Sequence, residues 1–152
     1  MRWIPKDAEM FLGAREYVDT VIMPLIGITF QNHVKQSASI NDFITIISRQ
    51  VEQQFKGRLL LLPPLTYCNE WSKQERLNML IKWKNSLEEQ FVHVFFLTAD
   101  VEWKTIETEL GQSLLWTPPI PLEHLEEKHK KPIMEEQVKH LLTTIGQKWK
   151  NE

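Results

Sequence analysis

The chain has 152 residues, 42% of them hydrophobic and 25% charged, with a formal net charge of -2. That size and balance suit one folded domain, residues 1–152, and argue against a disordered chain. The near-neutral charge argues against a nucleic-acid partner, which would need a surplus of Lys and Arg.

One cysteine, Cys68, cannot form an intramolecular disulfide, so nothing points to an oxidising compartment. The opening residues MRWIPKDAEMF place Pro5, Asp7 and Glu9 where a signal peptide needs an apolar run. The longest apolar stretch, Val21–Ile28, is far short of the roughly 18 residues that span a bilayer. No transmembrane segment and a cytoplasmic location are therefore expected.

Asp7–Tyr17 reads as a helix, with Pro5 tolerable before or within its first turn and Ala8, Phe11 and Leu12 on its inner face. Thr20–Phe30 reads as a strand through its β-branched residues. Pro24 interrupts it, and proline avoids central strands. Gln31–Ala38 reads as a polar loop. Ser39 and Asp42 resemble a capping box, followed by Ile40, Phe43, Ile44, Ile47, Val51 and Phe55 at helical spacing. Gly57 is placed to end that helix.

Arg58–Leu62 is short, apolar and stopped by Pro63 and Pro64, as a strand buried on both faces would be. Leu65–Trp71 reads as a loop. Ser72 and Glu75 form an S-x-x-E capping box that starts a helix to about Gln90. Phe91–Thr98 is a second apolar strand. Asp100 caps a helix to Leu110, which Gly111 ends, and Ser113–Trp116 reads as an edge strand. Thr117–Pro121 is a stiff connector. Pro132 reads as the first residue of a final helix, with Met134, Val138, Leu141, Leu142, Ile145 and Trp149 on one stripe.

Strands alternating with helices imply parallel pairing through right-handed crossovers. The expected fold is a three-layer α/β/α domain, Rossmann- or flavodoxin-like. Its sheet has four mainly parallel strands in the order 2-1-3-4. Pro24 stands against that order, because the order makes the first strand internal.

REYVDT (Arg15–Thr20), the following MPLIGI, RLLLLPPLTY (Arg58–Tyr67) and Trp3 together resemble the YpiF-type family of small proteins from endospore-forming Gram-positive bacteria. The family is itself of unknown function, so the resemblance implies no catalytic residues. Its genes commonly lie beside those of the menaquinol–cytochrome c reductase complex, which implies a link to respiratory-complex assembly or regulation.

The residues themselves offer little chemistry. The five glycines are isolated, so neither G-x-G-x-x-G nor G-x-x-x-x-G-K-[ST] is present. His124 and His129 are too far apart for one helical face, and one cysteine makes no thiolate cage. Cys68 lacks the glycine-flanked elbow of a nucleophile and reads as a small buried hydrophobe. No catalytic residue, metal ligand or cofactor is expected.

Position is the remaining signal, since open parallel sheets bind ligands beyond the carboxyl ends of their strands. The candidate binding residues there are Thr66, Tyr67, Asn69, Glu70, Trp71, Thr98, Asp100, Trp103 and Trp116. Aromatic walls with a few polar groups suit a small-molecule cleft and equally a protein-binding patch. A non-catalytic protein-interaction or regulatory module is the leading expectation, and a small-molecule sensor or enzyme at this edge is the alternative. Trp103 and Trp116 can also simply cover the end of the core, and Asp100 can be only a helix cap.

Overall fold

Pro24 lies in the middle of the strand on which every other strand depends. The computed structural model describes residues 1–151, apart from the side chains of Glu107 and Thr108. Its elements are α1 (Pro5–Gly13), β1 (Thr20–Ile28), α2 (Val34–Gln54), β2 (Leu59–Leu61), β3 (Leu65–Cys68), α3 (Lys73–Glu88), β4 (His93–Thr98), α4 (Glu107–Leu110), β5 (Leu114–Trp116) and α5 (Glu127–Lys150). All strand pairs are parallel. Strand β1 pairs with β4 on one side, and with β2 and then β3 on the other; β5 lies beyond β4. Taking β2 and β3 as one interrupted strand, the order is the expected 2-1-3-4.

The prolines explain how β1 can be internal. Thr20 N–H donates to Arg58 O, and Leu62 N–H donates to Ile22 O. Main-chain groups alternate sides along a strand, so Pro24 N faces the same way as those of Thr20 and Ile22. There the missing donor meets the break between β2 and β3, where Pro63 and Pro64 interrupt the partner. The cost of proline in a central strand is thus confined to one level of the sheet. Beyond it the strand resumes, with Leu25–Ile28 paired to Leu65–Cys68. Leu65–Trp71 is therefore not all loop: two prolines stop the ladder without turning the chain.

Alternation divides the sheet's side chains cleanly. Val21, Met23, Leu60, Val94, Phe96 and Leu114 pack on one face with residues of α1 and α3. Ile22, Leu59, Leu61, Phe95, Leu97 and Leu115 pack on the other, under α2 and α5. At about 25 cal/mol per Å² of apolar surface removed from water, these two clusters are the main favourable term in folding.

Four boundaries differ from expectation, the first being the end of α1 at Gly13, with Arg15–Tyr17 a separate 3-10 turn. Helix α2 starts at Val34, not after Ser39, with His33 left-handed at φ 69° before it. Its polar first turns are tied to β1, because Ser37 Oγ and Asn41 Nδ2 both donate to Gly27 O at 2.7 and 2.8 Å. Ser39 caps nothing and donates to Glu123 instead. Asp100–Leu110 is mostly a 3-10 segment, Val101–Ile106, ending in the single turn of α4. Pro132 lies inside α5. The charged residues before it continue the helix, supported by the Lys130–Glu127 pair at 2.9 Å. Leu12, expected on the inner face of α1, is exposed. The Ser72–Glu75 box is present, with Glu75 N–H donating to Ser72 Oγ at 3.1 Å.

The amino end of the sheet is closed by charge. Arg58 donates to both oxygens of Asp19 at 3.0 and 3.2 Å, and its guanidinium stacks 3.7 Å above Trp149. Trp149 Nε1–H donates to Thr20 Oγ1, whose hydroxyl donates to Asp19. Burial pushes the Asp19 carboxyl up. The hydrogen bonds from Arg58 and Thr20 and the Arg58 charge outweigh it, and the group sits below its ordinary 3.8. A lowered carboxyl stabilises the fold above the unfolded value and loses that contribution as pH falls through the folded one. Below pH 3.8, Asp19→Asn is therefore expected to show a shallower fall of its urea midpoint than the unaltered chain. Equal slopes would remove Asp19 from the acid response.

Candidate functional site at the carboxyl edge

Strand order creates one topological switch point. From β1 the chain crosses to β2 on one side, and from β3 it crosses back over β1 to β4 on the other. Crossovers of opposite sense leave a crevice between the carboxyl ends of β1 and β4. Gly27, Ser37, Asn41, Asn69, Thr98 and Asp100 line it, with Tyr67 at its base, and its volume is about 160 Å³.

Several of the groups that line the crevice are bonded to one another. Tyr67 points from β3 into the α3 side of the core and is 2% exposed. Its hydroxyl donates to Asp100 Oδ2 at 2.8 Å and accepts from Trp103 Nε1–H at 2.8 Å. The two rings meet edge to face at 5.4 Å. Asp100 Oδ1 accepts from Glu102 N–H, and Asp100 N–H donates to Thr98 Oγ1. Burial, then the negative charge of Asp100, pushes the Tyr67 hydroxyl far up, so it stays protonated and donates. Gly27 makes the arrangement possible. A Cβ there would collide with Asn69 Oδ1 and stand 2.9 Å from the Tyr67 ring carbon Cζ and hydroxyl.

Of the nine expected binding residues, Tyr67, Asn69, Thr98 and Asp100 line the crevice, and Trp103 is buried behind Tyr67. Thr66 alternates to the opposite face from Tyr67 and is exposed. Glu70 accepts from Thr29 Oγ1 instead of facing a ligand. Trp71 is exposed on the rim. Trp116 lies on β5, half-buried, with Lys104 Nζ 4.2 Å from its ring centroid. Glu102, beside this edge, pairs with Arg76 at 2.8 Å. Among the described residues, no group of three or more His, Cys, Asp or Glu is placed to hold a metal ion.

Arg76 is the carboxyl-edge residue that sequence reasoning misses. It is 5% exposed on α3, and its guanidinium lies 5.7 and 5.8 Å from the Tyr67 and Trp103 ring centroids. Its spacing of four from Leu80 puts it on the buried stripe, which was a usable signal: a charge on an apolar face needs a partner. The Tyr67–Asp100–Trp103–Arg76–Glu102 network holds the exits of β3 and β4 together.

Among the described residues, no helix is long and apolar enough to cross a membrane. A family model described as a protein of unknown function, DUF2487, matches residues 9–149. The chain is also similar to the uncharacterized protein YpiF of Bacillus subtilis (strain 168), at 38% identity over 151 residues covering 98% of each chain. No solved structure matches. With a match over nearly its whole length and a relative this similar, the chain belongs to the YpiF-type DUF2487 family of unknown function.

Proposed function

We propose that this chain is a single-domain, cytosolic, non-catalytic module that works by protein contact at the carboxyl edge of its sheet. The supporting observation is the pairing of a narrow crevice, in which Tyr67 and Asp100 are bonded to each other, with exposed apolar residues around it. Phe30, Val34, Trp71 and Val101 follow β1, β3 and β4 at this edge and are 87%, 48%, 38% and 64% exposed. Large apolar side chains gathered at one edge suit a partner's surface better than solvent. The alternative, a small-molecule sensor or enzyme with its site at the switch point of this edge, has there a crevice of about 160 Å³. Small-molecule sites run to about 300–1,000 Å³, which favours protein contact. The gene neighbourhood of the family suggests the partner class to try first, the menaquinol–cytochrome c reductase subunits and their assembly factors.

The test uses the immobilised full chain against detergent extracts containing that complex, with Phe30→Ala/Trp71→Ala alongside. Both side chains are exposed, so folding should be unaffected. Loss of two aromatic anchors is expected to weaken capture by about 2 kcal/mol or more, roughly thirtyfold. Equal capture by the double variant would count against the carboxyl edge as the contact surface.

A further inference from the structure

A larger cavity lies elsewhere, sharing no residue with the carboxyl-edge crevice. It is a groove of about 460 Å³ between α1 and α3, over the sheet face that carries Met23 and Leu60. Those two floor residues are 3% and 1% exposed, whereas the rim tryptophans Trp3 and Trp83 are 58% and 40% exposed. The groove is thus deep, apolar at its base and open to solvent along its rim. Phe11 and Phe91 line it as a stacked pair at 5.8 Å, and Pro63 and Pro64 line it at the break between β2 and β3.

Two polar side chains reach this lining, Arg15 and Gln90. Arg15 Nη2 donates to Gln90 Oε1 at 2.8 Å, and its guanidinium lies 5.3 Å from the Phe11 ring centroid. Among the described residues no carboxylate pairs with it. A guanidinium held against an aromatic ring, with a neutral partner and spare N–H donors, is a site for a planar anion. Placed beside a concave apolar cavity of small-molecule size, it asks for an anion with a hydrocarbon tail.

We propose that this groove binds an amphiphilic carboxylate, its tail on Met23 and Leu60 between Trp3 and Trp83 and its carboxylate on Arg15. The tail gains by leaving water for an apolar floor, and the headgroup gains a charge-assisted hydrogen bond. Among the described residues Arg15 is the one cation in the lining, which matches a ligand with a single anionic headgroup.

The test is titration of the full chain with dodecanoate below its micelle-forming concentration, followed by tryptophan indole proton–nitrogen spectra and by calorimetry. One-site saturation with shifts at the Trp3 and Trp83 indoles is expected. Arg15→Gln, an exposed change, should weaken dodecanoate about tenfold while leaving dodecanol binding within about twofold. Absence of saturation, shifts at Trp71 and Trp116 instead, or equal sensitivity of acid and alcohol to Arg15→Gln would overturn the proposal. Shifts at Trp3 and Trp83 that grow with protein concentration alone, together with a dimer by sedimentation, would give the groove to a second copy of the chain and overturn it too.

Discussion

Trp103→Ala is expected to lower the unfolding free energy by about 3–5 kcal/mol, the range for truncating a large buried aromatic. The ring is 2% exposed, so its loss leaves a cavity between the 3-10 segment, α3 and β3. The damage extends beyond volume. Trp103 Nε1–H is the donor to Tyr67 OH, and Arg76 loses one of the two rings that flank it. Tyr67 can still donate to Asp100, so the network is weakened at one end, not dissolved. Trp103→Phe separates the two effects: it keeps most of the packing, loses the N–H, and should cost nearer to 1–2 kcal/mol. Trp71→Ala, on the exposed rim of the same edge, should stay within about 0.5 kcal/mol. Urea denaturation of the three variants checks the ranking. A Trp103→Ala cost no larger than that of Trp71→Ala would mean that the network does not hold the carboxyl edge.

Core patterning was legible because it repeats. RLLLLPP and FVHVFFLT read as short apolar runs buried on both faces, and in the structure Leu60 and Phe96 pack on one face, Leu59 and Phe95 on the other. The strand order was legible for the same reason, since parallel strands with short connections leave few arrangements. What misled was chemistry that acts across the fold instead of along the chain. Ser37 and Asn41 look like loop residues until Gly27 O is seen to need their donors. Pro24 looks like a bar to a central strand until Pro63 and Pro64 are seen opposite it. Tyr67 read as a binding residue because its position was right, but its direction depends on β3, which the two prolines had disguised as loop. The partners of Arg76 and Glu52 are not legible in the sequence, because neither is near its charge along the chain.

The Glu52 partner makes the second large effect. In a chain starting at Met1, the α-ammonium donates to Glu52 Oε1 at 2.7 Å and to Leu59 O at 3.0 Å. The two side chains are 6% and 5% exposed. Leu61 N–H donates to Met1 O at 2.8 Å, and Arg2 forms a parallel bridge with Leu61. Met1 and Arg2 therefore cover the outer edge of β2, an edge that would otherwise offer unpaired main-chain groups. Removing one partner of a buried ion pair costs about 3–5 kcal/mol, because the other charge stays out of water without compensation. Here the ammonium has an escape, since the first residues can peel from β2 and rehydrate. Glu52→Ala is therefore expected at the lower end, about 3 kcal/mol by urea denaturation. Hydrogen exchange distinguishes the two ways of paying that penalty. If the tail peels away, the Leu61 amide loses protection while the Leu60 amide keeps it. If the tail stays, both remain protected and the full penalty appears in the urea midpoint. Glu52→Gln keeps an acceptor for the ammonium and should fall between Glu52→Ala and the unaltered chain. An unchanged midpoint with unchanged Leu61 protection would show that the pair contributes nothing to holding the edge of β2.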